Sequence, residues 1–169
     1  RIAGLPRMGQ KTAENILRHV QTAKSMKGRT PIGDALPIAE RVIAALREQC
    51  PEIESIYPAG SLRRWEETIG DIDLIAASPD PEAMGKALAG LPFVQEVLVQ
   101  GPNKTSVIVD PGVQVDLRSV DSGAVGAMPQ YFTGDKQHNI RLRDFANRMG
   151  LSLNEYGITS LETGLLEEF

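Results

Sequence analysis

The hydrophobic positions of this chain change period several times, and each change marks an element. From Ala35 to Gln49 the residues Leu36, Ala39, Val42, Ile43 and Leu46 recur at helical spacing, which predicts an amphipathic helix. Five short runs rich in Val and Ile read as strands instead: Ile56–Ala59, Ile72–Ala77, Val94–Val99, Ser106–Val109 and Val113–Val120. Pro81–Ala89 reads as a further helix, opened by a proline. Upstream, Gly4, Pro6 and Gly9 mark a turn before a helical stretch over Lys11–Ala23. Downstream, a segment of small residues leads to a helix near Lys136–Met149, which Gly150 is placed to end. Leu151–Leu153 and Gly157–Thr159 then suit a short strand pair. Strands mixed with helices in this order imply an α+β fold, a mixed sheet covered by helices. The pattern divides into residues 1–31, 32–122 and 123–169, with no internal repeat and no low-complexity tract.

Bulk properties narrow the class without choosing a function. A chain of 169 residues can bury one good core, alone or with small lobes beside it. No apolar run approaches the roughly 20 residues of a membrane span, and the N-terminus has no leader-like apolar stretch. Starting at Arg1 and stopping at Phe169 within an acidic run, the chain reads as cut from something longer. The single cysteine, Cys50, has no internal disulfide partner and suits a small apolar filler at a helix end. His19 and His138 are far apart, so no zinc cluster is expected. A reducing, cytoplasmic setting fits.

Charge changes the picture through its distribution. The net value is −4, yet residues 1–31 hold seven basic residues against the single acid Glu14, a local charge of +6. From Leu151 onward there are four glutamates and no lysine or arginine. Taken alone, such a run is more often a solvated face; facing a phosphate backbone, the local patch outweighs the total.

The chemistry concentrates in Gly60-Ser61-Leu62-Arg63-Arg64 and, six residues on, Asp71-Ile72-Asp73 leading into Leu74-Ile75-Ala76. Two residues apart at a strand start, Asp71 and Asp73 project from one face, where adjacent carboxylates repel unless a cation neutralises them. Hard oxygen ligands on a rigid strand suit Mg²⁺, above all when substrate phosphates complete the shell. Gly60-Ser61 follows a strand and suits a short helix whose N–H groups and hydroxyl meet an anion, with Arg63 and Arg64 adding cationic donors. A third carboxylate, Asp116, alternates with Val113, Val115 and Leu117 and so faces away from the apolar side. If its strand lies beside Ile72–Ala77, three carboxylates converge on a site able to hold two metals for in-line phosphoryl transfer.

This Gly-Ser, Asp-X-Asp and later Asp arrangement resembles the polymerase-β-type nucleotidyltransferases. Tyr131-Phe132-Thr133-Gly134, with Asn139, Arg143 and Asn154-Glu155-Tyr156, narrows the resemblance to family X DNA polymerases of bacterial type. The resemblance implies a nucleotidyltransferase palm over 32–122, preceded by a partial helix-hairpin-helix in 1–31 and followed by a small, incomplete α/β thumb in 123–169. It implies that Asp71 and Asp73 bind both of two Mg²⁺ ions, with Mn²⁺ as a substitute, and that Asp116 binds the catalytic one. Ser61, Arg64 and Arg29 match positions that contact an incoming deoxynucleoside triphosphate, beside Gly60 and Gly70. Tyr131, Phe132 and Gly134 match a turn that packs on the sugar; Asn139 matches a residue at the new base pair, and Arg143 one at the template strand. Gly4, Pro6, Met8, Gly9, Lys11 and Thr12 fall in a stretch resembling a hairpin that grips DNA phosphates, often with a monovalent cation.

The resemblance implies a template-directed DNA polymerase core that fills gaps during repair, and nothing in the sequence suggests more than a monomer. Two departures stand out: Arg7 occupies a usual hairpin glycine, and Gln114 replaces an arginine two residues before the third aspartate. Lyase and exonuclease activities are not expected of this chain. Two other readings stay open, a template-free or small-molecule nucleotidyltransferase and a DNA-binding fragment without turnover.

Overall fold

The structure is a computed structural model that describes Gly9, residues 28–120 and residues 126–166. The helix expected over Lys11–Ala23, and all the hairpin residues except Gly9, lie outside the described residues. A five-stranded mixed sheet organises the rest. Its strands are β2 (Ser55–Pro58), β4 (Ile72–Ala77), β5 (Val94–Gln100), β6 (Lys104–Val109) and β7 (Val113–Val120), in the order β2-β4-β7-β6-β5. Only the β4–β7 pair is parallel; the others run antiparallel. A two-stranded pairing of β1 (Thr30–Pro31) with β3 (Thr68–Ile69) flanks the sheet.

Alternation along the central strands gives the sheet two unlike faces. Ile72, Leu74 and Ala76 of β4 point with Val115 and Leu117 of β7 into the main core. Helix α1 (Ile32–Gln49) covers that side with Ala35, Ala39, Val42 and Leu46, and α3 (Pro81–Ala89) adds Met84 and Leu88. Asp80 caps α3, its side chain accepting from Ala83 N at 2.9 Å, ahead of Pro81 at the first helical position. The opposite face carries Asp73, Ile75 and Ala77 of β4. There Ala59, Ile75 and Ala77 pack against Met128 of α4 (Ala127–Thr133), with Tyr57 and Phe132 at the edge.

Beyond α4, Asp135 caps α5 (Lys136–Arg148) by accepting from His138 N at 2.7 Å. Gly150, at φ 75°, turns the chain out of that helix into the antiparallel pair β8 (Leu151–Asn154) and β9 (Gly157–Ser160). Three local expectations change. Helix α1 begins at Ile32, ahead of the start at Ala35 that the apolar spacing suggested; Ile32 packs on the core and its N–H donates to Glu67 O at 3.1 Å. Tyr131–Thr133 close a helix rather than form a turn, and Gly134 alone makes the bend. The stretch read as small residues before residue 136 contains α4, of which residues 126 onward are described. No helix among the described residues is long and apolar enough to cross a membrane.

Candidate active site

The site sits on the sheet face that the main core leaves free. Parallel pairing of β4 with β7 puts Asp73 directly beside Asp116, and Asp71 precedes β4 by one residue. Ligand oxygens of Asp71, Asp73 and Asp116 all lie within 4.8 Å of one another. The convergence expected from the strand pattern is therefore present in space.

Three carboxylates this close strain their own ionisation. Burial, then the charges of Asp71 and Asp116, push the Asp73 carboxyl from its ordinary 3.8 up to about 6. Burial works the same way on Asp116, but the Lys104 ammonium at 2.7 Å and the Gln114 amide at 2.8 Å reverse it and hold that carboxyl below its ordinary value. Ser106, buried directly across the ladder from Asp116, faces the same carboxylate without reaching good hydrogen-bond geometry. An acidic cluster of hard oxygen donors, with a lysine ammonium already drawn onto one member, fits a divalent cation.

Gly60 is what lets the carboxylates stand there. It opens the short helix α2 (Gly60–Arg63) at φ 54°, in the left-handed region. A methyl group on it would overlap Asp73 Oδ2 outright and sit 3.1 Å from Asp73 Cγ. The Gly-Ser motif and the Asp-X-Asp motif are thus one packing unit.

From the carboxylates a cleft of about 550 Å³ opens toward α4 and α5. Asp71, Asp73, Gly60, Ser61, Arg64, Gly70 and Arg29 line its sheet side; Tyr131, Phe132, Gly134, Asn139 and Arg143 line the other. Every described residue singled out from the sequence for nucleotide contact is in this one cleft, and Arg143, expected at the template, joins them. Arg64 bridges the two sides, its Nη1 donating to Thr133 O at 2.5 Å, and Gly134, at φ 74°, leaves room for that guanidinium. Arg29 is anchored on Thr68, donating from Nε to the hydroxyl at 2.8 Å and from Nη2 to the carbonyl. Asn139 Nδ2 donates to Tyr131 O at 2.6 Å and ties α5 to α4.

Sequence reasoning missed Lys104, Arg118, Asp135 and Lys136. The last two line the cleft, and the Arg118 guanidinium lies 4.3 Å over the Phe132 ring. Lys104 had a readable signal. The turn at Asp110–Gly112 fixes the β6–β7 register, and counting outward sets Ser106 opposite Asp116 with Lys104 two residues beyond.

Comparison with known proteins agrees with this geometry. Residues 128–169 match the family model for the DNA polymerase beta thumb. Across its full length the chain is 36% identical to a DNA polymerase/3′-5′ exonuclease PolX of Bacillus subtilis, spanning 30% of that protein. It is 27% identical over 116 residues to a repair DNA polymerase X of African swine fever virus, covering 65% of this chain and 67% of the viral one. The chain thus spans under a third of the length of its bacterial relative.

Proposed function

We propose, from the premise that the chain belongs to the family X DNA polymerases, that its cleft joins deoxynucleotides to the 3′-hydroxyl of a DNA primer under direction of a template. The observation that supports this best is the cleft itself: Asp71 and Asp73 line it with Asp116 converging on them, and arginines and a Tyr-Phe pair run along its length. In this reading residues 32–122 are the palm, 123–169 the thumb, and 1–31 a basic segment that grips duplex phosphates.

Asp71, Asp73 and Asp116 are the residues that would hold two Mg²⁺ ions, or Mn²⁺ in their place, and bound there the ions would supply charge neutralisation at the phosphates and at the primer hydroxyl. The chain's own residues do the rest. Arg29 and Arg64, fixed by Thr68 and by the Thr133 carbonyl, present cationic donors to the triphosphate, and the Ser61 hydroxyl adds a neutral one. Phe132, held between Met128 and the Arg118 guanidinium, keeps the sugar-facing wall rigid, so a 2′-hydroxyl meets a surface that does not yield. Asn139, fixed to the Tyr131 carbonyl, stands where the new base pair forms, and Arg143 where the template passes.

A gap-filling role in repair is part of this reading, in keeping with the viral relatives that are repair DNA polymerases X. The test is single-nucleotide addition on a one-nucleotide gap with each deoxynucleotide and ribonucleotide. Template-matched addition with deoxynucleotides preferred supports the reading; addition indifferent to the template base sinks it.

A further inference from the structure

The third carboxylate already has a cation beside it, supplied by the chain. Asp116 is 6% exposed, and its Oδ2 lies 2.7 Å from Lys104 Nζ. The ammonium comes from the neighbouring strand: Lys104 pairs with Arg118 across the antiparallel β6–β7 ladder and shares the face that carries Asp116. Its backbone is pinned on both sides. Gly101 N donates to Lys104 O at 2.8 Å, and Ser119 N donates to Asn103 O at 3.1 Å. Remove the ammonium and, among the described residues, the Gln114 amide at 2.8 Å is the side-chain donor that remains to a nearly buried carboxylate facing Asp73 across the β4–β7 ladder. A charge so placed needs a counter-charge, from the chain or from solution.

Lysine suits a contact that must be given up. Its charge sits on a flexible four-carbon stem, and the Lys104 side chain is 36% exposed, so the head can swing to water while the stem stays in place. We propose that Lys104 is a tethered counter-cation for Asp116, holding that carboxylate in position while no divalent ion is bound and giving way by exchange when one arrives. The inference rests on Asp71, Asp73 and Asp116 being the cation ligands. Lys104 is a positioning residue, acting through Asp116. The Lys86–Glu82 pair on α3 gives an internal contrast: it has the same 2.7 Å separation, but both side chains are about two-thirds exposed. Water can replace either partner there.

The test compares the full chain with Lys104→Met, Lys104→Gln, Lys86→Met and Asp73→Asn. Two quantities are read: the Mn²⁺ dissociation constant by calorimetry, and the melting temperature in chelator against excess Mn²⁺. Both Lys104 variants should melt lower than the parent in chelator, bind Mn²⁺ roughly 3- to 10-fold more tightly, and gain more on its addition. Lys104→Gln keeps a donor toward Asp116 and reports on charge alone should the Met variant fold poorly. Lys86→Met should match the parent in both. Mn²⁺ affinity that stays equal or falls in the Lys104 variants overturns the proposal. If the parent shows no Mn²⁺ binding that Asp73→Asn removes, the carboxylate reading itself is wrong, and the inference falls with it.

Discussion

Replacing Gly60 with alanine separates what the fold needs from what the site needs. The backbone at Gly60 has φ 54°, where an L-residue costs about 1 kcal/mol relative to glycine. A second cost comes from the methyl group, which would overlap Asp73 Oδ2 and stand 3.1 Å from its Cγ and 3.3 Å from its Cβ. The obstacle is the end of a side chain rather than backbone, so the protein yields by rotating the Asp73 carboxylate away, a displacement on the order of 1 Å. A misplacement of that size costs about 100-fold in rate where geometry controls the reaction. The stability loss should therefore be small, about 1–2 kcal/mol, and the functional loss large.

Gly150→Ala supplies the control. That residue has φ 75°, and nothing lies within 4 Å of an added methyl. Urea unfolding should give the two variants similar losses. Mn²⁺ binding and nucleotide addition should collapse only in Gly60→Ala. Divalent binding and turnover in Gly60→Ala within about twofold of Gly150→Ala would refute the packing argument, since it predicts a gap of about two orders of magnitude.

Other consequences follow from single contacts. In chelator, the raised Asp73 carboxyl stabilises the fold below its ordinary 3.8 and loses that contribution as pH climbs through about 6. Asp73→Asn should flatten this decline and exceed the parent in stability near pH 7.5 by on the order of 1 kcal/mol after solvent screening, read by urea titrations at several pH values. A parent whose stability is level between pH 4.5 and 7.5 in chelator would contradict it. Leu46, wholly buried in the main core, should cost about 2–5 kcal/mol on replacement by alanine, measured by chemical unfolding. Arg64→Lys keeps the charge but loses the planar fork that holds the Thr133 carbonyl, so the KM for a triphosphate should rise by about tenfold. Steady-state kinetics with an unchanged KM would show that the bridge does not matter.

Strands β4 and β7 were legible residue for residue, β4 as an apolar run and β7 because Val113, Val115 and Leu117 alternate with Gln114, Asp116 and Arg118. That same alternation made the convergence of Asp73 and Asp116 depend on a single unknown, whether the two strands are neighbours. Helix α4 was not legible. Pro129 in Ala127-Met128-Pro129 reads as a breaker, yet it falls in the first turn, where a backbone N–H has no acceptor within the helix. What holds α4 is Met128 packing on Ile75 and Ala77, a contact no local pattern announces. The β1–β3 pairing is two residues a side and is too short to leave a period. The cleft's far wall was legible through the family motif; Lys104 and Arg118 required the strand register to be counted.

The central claim is that Asp71, Asp73 and Asp116 serve a templated nucleotidyl transfer. The most direct measurement is single-nucleotide addition by this chain and its Asp73→Asn variant on a one-nucleotide-gapped DNA with Mg²⁺ or Mn²⁺. The account predicts that the parent adds the deoxynucleotide matched to the template and that the variant, though folded, adds none. Extension that persists in Asp73→Asn, or a folded parent that binds metal and nucleotide yet adds nothing opposite any template base, would contradict it.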